Sequence, residues 1–296
     1  MGTDGSVHAC AAILTASRLL QTRNTNIEIV TVSPESPVPA PRLDKQVQLQ
    51  YEKHVTSRTR KILQAAQRIL ARLHRGAHAF FEFGSPADRL LALAPDYSLL
   101  VVGAYGEHER KQPGLGPVAS RLLQQGKGNL LIGRELVNEN NYRVLAALDS
   151  SEASFTALQA LASLFDRTSL EVTLMHVIET PWVAPSSAQA QDDELEVSEL
   201  GEYQTQLGRE LRQTANTIME NAVRQLEQWS IPATPRIKEG DPALEICSEA
   251  EQGGYDLVVA GATGASDIKH AVLGSVSLKL AWDAPCSVAI IRQTVD

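Results

Sequence analysis

Hydrophobic positions follow two alternating patterns along the chain. Short, nearly continuous apolar runs predict buried β-strands; in the second half they lie at 143–148, 170–177, 235–239, 256–261 and 287–291. Between them, apolar residues recur every three or four positions, as at 157–165 and 207–229, which predicts amphipathic helices. Residues 184–200 are rich in Ser, Gln and acidic residues and are predicted to form a loop. Strands alternating with helices predict a parallel α/β sheet that is covered on both faces.

The same order of signals occurs twice. Asp4 and Asp149 each open an amphipathic stretch, and they lie 145 residues apart. Three glycines of the first half match three of the second at an offset of 158, namely Gly103, Gly106 and Gly116 against Gly261, Gly264 and Gly274. A repeat of this length predicts two tandem domains, at residues 1–139 and 142–296.

Composition and charge narrow the function classes. The 296 residues are 43% hydrophobic and 21% charged, as in soluble globular proteins, and no apolar run approaches the ~18 residues of a membrane helix. A net charge of −8 without a pronounced basic stripe disfavours nucleic acid. The first basic residue is Arg18, and the three cysteines lie far apart without metal-ligand spacing. We expect a cytoplasmic protein without a membrane, nucleic-acid or structural-metal partner.

The glycine loop of the second half can hold an anion. The strand at 256–260 is followed by Gly261 and Gly264 and, after nine intervening residues, by Gly274 and Ser275. Glycine lets the backbone approach a phosphate closely and turn with positive φ. A helix beginning near Gly274 would present unpaired N–H groups and its positive dipole end. The spacing matches neither a P-loop nor a dinucleotide fingerprint, and a tight strand–helix turn remains an alternative reason for Gly261 and Gly264.

This G-x-x-G-x9-G-S pattern resembles the ATP-binding motif of the universal stress protein family. Asp149 after a first strand and the sequence 176–178 at the end of the second fit the same family. The resemblance covers nearly the whole chain as a tandem protein. It implies an open parallel sheet of strand order 3-2-1-4-5 in each domain, with helices on both faces. It also implies an intramolecular pseudo-dimer, in which the domains pair through their last strands, at 129–132 and 287–291.

The resemblance also implies a binding site for ATP, with AMP or ADP as alternatives and Mg²⁺ bound only through the nucleotide. Asp149 and backbone groups of Val177 would hold the adenosine, with Ala147 and Leu148 beside it. The ribose and phosphates would lie against Gly261, Gly264, Gly274, Ser275, Val276 and Ser277. The family often has Thr or another polar residue where this chain has Leu148, and a His and a basic residue where it has Thr263 and Ala265. Lys269 and His270 are the cations that could reach the phosphates.

The first half departs further from the family pattern. Pro117 stands where the second half has Ser275, and proline lacks both the hydroxyl and the backbone N–H. Glu107 and Glu109 add negative charge near the phosphate position. The sequence reaches Asp4 three residues after Met1, so most of the first, central strand has no counterpart. We expect a late start codon, or a domain with a gap or a borrowed strand.

Three functions are compatible with these residues. The leading hypothesis is a non-catalytic, adenine-nucleotide-binding stress-response or signalling protein that acts on a regulatory protein partner, with any ATP hydrolysis slow and incidental. The alternatives are a nucleotide-free tandem scaffold and an ATP-consuming enzyme. No nucleophile has a base visible in the sequence, so no catalytic residue is predicted. His176 lies within a strand run and is predicted to be a packed core histidine, and any homodimer would need a surface other than the last strands.

Overall fold

A computed structural model describes residues 1–23, 25–33, 45–106, 114–138, 140–179, 194–264 and 273–294. Strands and helices alternate throughout, as the hydrophobic pattern predicts. The first half contains α1 (Val7–Leu19), β1 (Glu28–Ser33), α2 (Lys45–Arg72), β2 (His78–Phe83), α3 (Pro86–Leu93), β3 (Leu100–Gly103), α4 (Pro117–Gln125) and β4 (Leu130–Gly133). The second contains β5 (Tyr142–Leu148), α5 (Glu152–Leu164), β6 (Leu170–Ile178), α6 (Glu194–Gln228), β7 (Ala233–Glu239), α7 (Pro242–Gln252), β8 (Leu257–Gly261), α8 (Ser275–Asp283) and β9 (Ser287–Ile291).

The second half forms a parallel five-stranded sheet in the order β7-β6-β5-β8-β9. Renumbered from its first strand, this order is 3-2-1-4-5, as expected from the resemblance. β8 and β9 are buried at every position, and β5 at all but one, because α5 and α6 cover one face of the sheet and α7 and α8 the other. The carboxyl ends of β5, β6 and β8 therefore meet at one edge of the sheet, where such folds bind ligands.

The first half has the same layout with an incomplete central strand. β1 pairs with β2, and β3 pairs with β4, in two separate parallel ladders. Residues 1–3 lie between them: the Gly2 N–H donates to the Val101 carbonyl at 2.8 Å, and the Thr3 N–H donates to the Val30 carbonyl at 2.9 Å. This short segment occupies the place that β5 fills in the second half, so only the last residues of that strand are present.

The two halves join through their last strands. β4 pairs antiparallel with β9, with Leu131 opposite Ala289, as predicted for an intramolecular pseudo-dimer. The ends of α1 and α5 meet nearby in a reciprocal pair of bonds, from Gln21 N to Leu164 O (3.0 Å) and from Asp166 N to Leu19 O (2.8 Å). Because the donors and the acceptors are repeat equivalents, 145 residues apart, the halves are related by an approximate two-fold axis.

Two equivalent arginines, Arg134 and Arg292, reach across this junction. The Arg134 guanidinium donates to the carbonyls of Cys286 (3.0 Å) and Ala281 (2.9 Å) at the end of α8. The Arg292 guanidinium donates to the carbonyls of Gly128 and Leu123 at the end of α4. Burial lowers the pKa of both, that of Arg292 to about 10. Each half thus satisfies helix-end carbonyls of the other.

The prediction of a loop at 184–200 is wrong for its last seven residues, because α6 begins at Glu194. Residues 194–200 contain Glu and Leu, which are good helix formers, and acidic residues stabilise the positive end of a helix dipole. Residues 184–193 lie outside the described residues. Within the described ranges, no helix combines the length and the apolar character that crossing a bilayer requires.

Candidate functional site

A cavity of about 390 Å³ lies at the carboxyl edge of the second-half sheet. Its lining includes all ten predicted site residues, which come from four separate parts of the chain: Ala147, Leu148, Asp149, Val177, Gly261, Gly264, Gly274, Ser275, Val276 and Ser277. The volume lies within the range of about 300–1,000 Å³ that small-molecule sites occupy. The fold therefore gathers the predicted residues around one space, and what they bind stays a prediction.

Asp149 is fixed at the end of β5 by the start of α5. Its carboxylate accepts a hydrogen bond from the Ser151 N–H at 2.9 Å and another from the Ser151 hydroxyl. Ser151 in turn caps α5, because its Oγ accepts from the Ser154 N–H at 3.1 Å. These bonds hold the half-buried carboxylate at the rim of the cavity.

The first turn of α8 closes the opposite side of the cavity. Gly274 is its N-cap and makes no side-chain capping bond, while its own N–H donates to the Ala262 carbonyl at 2.7 Å. The next three residues, Ser275, Val276 and Ser277, lack intrahelical acceptors for their N–H groups, as in any first helical turn. The buried Ser277 hydroxyl donates to the Gly261 carbonyl at 2.6 Å, which ties α8 to the end of β8. Ser275 is exposed, so of these two serines it is the one whose hydroxyl can reach a ligand.

The expectation that these glycines turn with positive φ is wrong. Gly274 has φ −78° and ψ 157°, and neither Gly261 nor Gly264 is among the glycines with positive φ. Gly261 is required by packing instead: a Cβ there would lie 2.7 Å from the Ala153 carbonyl carbon in α5. Gly103 repeats this in the first half, with a Cβ position 2.8 Å from the Ala9 nitrogen. Close contact between helix and strand thus explains Gly261 whether or not a ligand binds.

Val177 and His176 form the β6 wall. The β5–β6 ladder ends at the pair Leu148–His176, and the Ile178 carbonyl accepts from Gly240 on the β7 side. Strand residues alternate in direction, so the peptide groups of Val177 point toward the β5 side, where β5 ends. The His176 ring is half-buried, lines the cavity and places Nδ1 2.9 Å from the Leu148 carbonyl oxygen. The prediction of a packed core histidine is therefore wrong.

Helix α6 supplies a wall that the sequence analysis missed. Leu211, Thr214 and Ile218 line the cavity, together with Pro242 and Ile246 of α7. Leu211 and Ile218 belong to the apolar stripe at 207–229 from which the helix was predicted. An apolar stripe does not show where the core ends and a cavity begins. The polar Thr214, four residues before Ile218, was a signal in the sequence that this part of the helix lines a cavity.

The described lining carries more negative than positive charge. Its ionisable side chains are Asp149, His176 and Glu179. Lys279 of α8 lies 3.3 Å from Asp241. The pKa of Asp241 is lowered, mainly by the hydrogen bond from the Leu244 N–H and to a smaller extent by Lys279. Ala265, Lys269 and His270 lie outside the described residues. The described groups that favour an anion are thus the peptide N–H groups at the start of α8.

The matching cavity of the first half is smaller, at about 150 Å³. Tyr105 takes the place of Thr263, and its ring packs edge-on against His8 at 5.1 Å between centroids. Pro117 is the first residue of α4, and the N-cap Gly116 makes no side-chain capping bond. Ala119 stands at the position equivalent to Ser277. Residues 107–113 lie outside the described ranges. The two halves thus present unequal sites at equivalent positions.

Comparison with known proteins agrees with the fold and the repeat. A model described as the universal stress protein family matches residues 1–134 and again residues 141–292. The chain belongs to the universal stress protein family. Universal stress protein YxiE of Bacillus subtilis is 31% identical over 150 residues, which cover 51% of this chain and 98% of the relative. A universal stress protein of Methanothermobacter thermautotrophicus is 34% identical over 124 residues, which cover 41% of this chain and 76% of the relative.

A solved universal stress protein from Archaeoglobus fulgidus aligns with both halves of this chain. It aligns with 99% of this chain and 97% of its own length, with a TM-score of 0.64 and 18% identity. At this identity the likeness shows the fold alone. This chain is therefore a tandem universal stress protein with the α/β architecture of its family.

Proposed function

We propose that this universal stress protein binds one adenine nucleotide per chain, in the second half, and acts in a stress response as a non-catalytic sensor. ATP is the proposed ligand, with AMP or ADP as alternatives, and Mg²⁺ would enter with the phosphates. The proposed domains are residues 1–139 and 142–296, the second holding the nucleotide. The bound nucleotide would change contacts with a regulatory protein partner in the cytoplasm.

One observation carries the proposal. Ten residues that lie up to 130 positions apart in the sequence line a single 390 Å³ cavity, while the equivalent space in the first half is 150 Å³. A nucleotide needs a pocket with an apolar wall and a few fixed polar groups. Leu148, Ala147 and the α6 side chains provide the wall, and Asp149 and the Val177 peptide provide polar groups at the adenosine end.

The phosphate end depends on α8. Peptide N–H groups at the start of a helix point outward and carry the positive end of its dipole, which favours an anion. The exposed Ser275 hydroxyl adds one donor. Because the described lining holds two carboxylates and no lysine or arginine, these N–H groups supply most of the described attraction for phosphate.

Calorimetric titration of the full chain with ATP and Mg²⁺ tests the proposal, and one site per chain is expected. Gly274→Val should abolish binding, because a side chain at the N-cap would obstruct the approach of a phosphate. The extended backbone of Gly274 accepts valine, so the fold should persist. Gly116→Val is the matched control at the first-half N-cap, which has φ −67° and ψ 163°, and it should leave binding unchanged. Two equivalent sites, or unchanged binding in Gly274→Val, would contradict the proposed site.

Two further measurements separate the alternatives. Mass spectrometry of the small molecules that co-purify with the protein identifies the nucleotide, and finding none, together with no heat of binding, would favour the nucleotide-free scaffold. Steady-state phosphate release at a rate typical of enzymes, about 1 s⁻¹ or more, would favour an ATP-consuming enzyme instead.

A further inference from the structure

The sheets of this protein end in two outer strands, β2 in the first half and β7 in the second. Among the described strands, β2 pairs only with β1 and β7 only with β6. Such edges expose unpaired N–H and carbonyl groups that can pair with another chain, so proteins protect them with proline and charge. The repeat makes β7 an internal reference for β2, because Gly84 and Gly240 follow the two strands at equivalent positions.

Strand β7 is a protected edge. It contains Pro235, and its Arg236 and Lys238 form ion pairs with the buried Glu249, the second at 3.0 Å. Glu239 pairs with Arg212 of α6 at 2.6 Å. Charged side chains fixed along an edge oppose the approach of another strand.

Strand β2 has less of this protection, because its charged contacts are long and confined to its two ends: His78 lies 3.9 Å from Glu28, and Glu82 lies 3.9 Å from Arg89. Its sequence is His-Ala-Phe-Phe-Glu-Phe, with phenylalanines where β7 has Arg236, Ile237 and Glu239. Phe81 is 41% and Phe83 46% exposed, and their rings meet edge-on at 5.6 Å between centroids. An edge strand with two exposed aromatic rings and no proline is a surface for strand pairing.

The hydrogen bonds of β2 show which peptide groups face outward. His78 N donates to the Ile27 carbonyl at 3.0 Å and Gly84 N to the Ser33 carbonyl at 2.9 Å, so the even-numbered residues face β1. Because strand residues alternate, the peptide groups of Ala79, Phe81 and Phe83 face the free edge. The Phe83 carbonyl already accepts from Arg89 Nε at 2.8 Å. A new strand must therefore form its hydrogen bonds with Ala79, with Phe81 and with the N–H of Phe83.

We propose that two copies of this protein pair through β2, antiparallel, about a two-fold axis at Phe80. The outward peptide groups require an odd-numbered residue to lie opposite an odd-numbered one. With Phe80 opposite its own copy, Ala79 faces Phe81 and His78 faces Glu82, and the symmetry creates the His–Glu pair twice. Shifting the register one way places Phe80 against Glu82 and then Glu82 against Glu82. Shifting it the other way places His78 against Phe80 and then His78 against His78. Charge complementarity therefore selects the axis at Phe80.

The pairing closes at two copies, because a two-fold contact uses the same strand on both sides. It leaves the junction of β4 with β9 and the nucleotide cavity untouched, since β2 is at the far edge of the other half. The dimer therefore does not depend on the proposed function.

Sedimentation equilibrium of the full chain across the micromolar range tests the dimer. The expected result is a reversible equilibrium between the 32.1 kDa chain and twice that mass. Phe81→Pro removes an outward N–H and should raise the dissociation constant at least about tenfold, since each copy loses one intermolecular hydrogen bond. Ile237→Pro is the matched control at the equivalent position of β7 and should leave the mass unchanged. Circular dichroism shows whether each variant keeps its fold.

A charge exchange tests the register independently of folding. His78→Glu places two glutamates opposite each other on both sides of the axis and should raise the dissociation constant by about tenfold. Adding Glu82→Lys to that variant should restore wild-type affinity. A chain that stays monomeric, an assembly larger than two, or a dimer that keeps its affinity in Phe81→Pro and His78→Glu would overturn the proposal.

Discussion

Gly261→Ala should cost stability through one local clash. The added Cβ would lie 2.7 Å from the carbonyl carbon of Ala153, 2.8 Å from its oxygen and 2.9 Å from its Cβ. Nonbonded carbons prefer about 3.5–4.0 Å, so α5 would have to move about 1 Å away from β8. Two of the three atoms belong to helix backbone and cannot rotate aside. Overpacking of this kind costs roughly 1–3 kcal/mol, and we expect the free energy of unfolding to fall by about 2 kcal/mol.

Urea denaturation followed by circular dichroism measures this loss. Gly208→Ala in α6 is the control, because no atom lies within 4 Å of its Cβ position and alanine favours a helix interior by about 1 kcal/mol over glycine. Gly208→Ala should therefore stabilise the protein. The movement of α5 would also displace Ser151 from Asp149, so nucleotide binding should weaken as well. A loss of stability below about 0.5 kcal/mol in Gly261→Ala would refute the packing argument.

Three further predictions concern the junction and its surroundings. Arg134→Met should lower the free energy of unfolding by about 3 kcal/mol in urea titrations, because two buried carbonyls lose a charged donor; an unchanged midpoint would contradict this. Burial raises the pKa of the Cys286 thiol to about 12, whereas an unfolded thiol has a pKa of about 8.5. The unfolded chain loses this proton first, so stability falls as pH rises from about 8.5 to 12, and Cys286→Ala should remove up to about 1.4 kcal/mol per pH unit of that slope in denaturation curves. Residues 142–296 expressed alone should dimerise through β9 in light scattering; a stable monomer at high concentration would show that β9 needs no partner.

The sequence predicts the architecture well because its strands are buried on both faces. A run such as that of β8 is apolar at nearly every position, which marks it without reference to distant residues. The repeat then locates equivalent elements, and the last strand of each half is an apolar edge that needs a partner. The antiparallel pairing of β4 with β9 was implied by the family resemblance, and the apolar character of these two strands agrees with it.

Features that depend on distant contacts were not predictable in the same way. His176 looks like a core residue from its neighbours, yet β5 ends beside it and leaves its ring at the cavity. Gly261 looks like a flexible turn glycine, yet its need for glycine comes from Ala153, more than a hundred residues earlier. The bonds of Arg134 to the end of α8 require knowledge of both halves in space.

The hydrogen bonds that Arg134 and Arg292 make across the junction have a consequence for synthesis on the ribosome. Ser287, which accepts from the Arg134 N–H at 2.9 Å, follows it by 153 residues. At about 5–20 residues per second, roughly 8–30 s pass between the appearance of β4 and that of β9. Throughout that interval the apolar edge of β4 and the carbonyls at the end of α4 have no partner from this chain. The nascent first half therefore presents an open strand, which chaperones can shield and which a neighbouring nascent copy on the same message can capture.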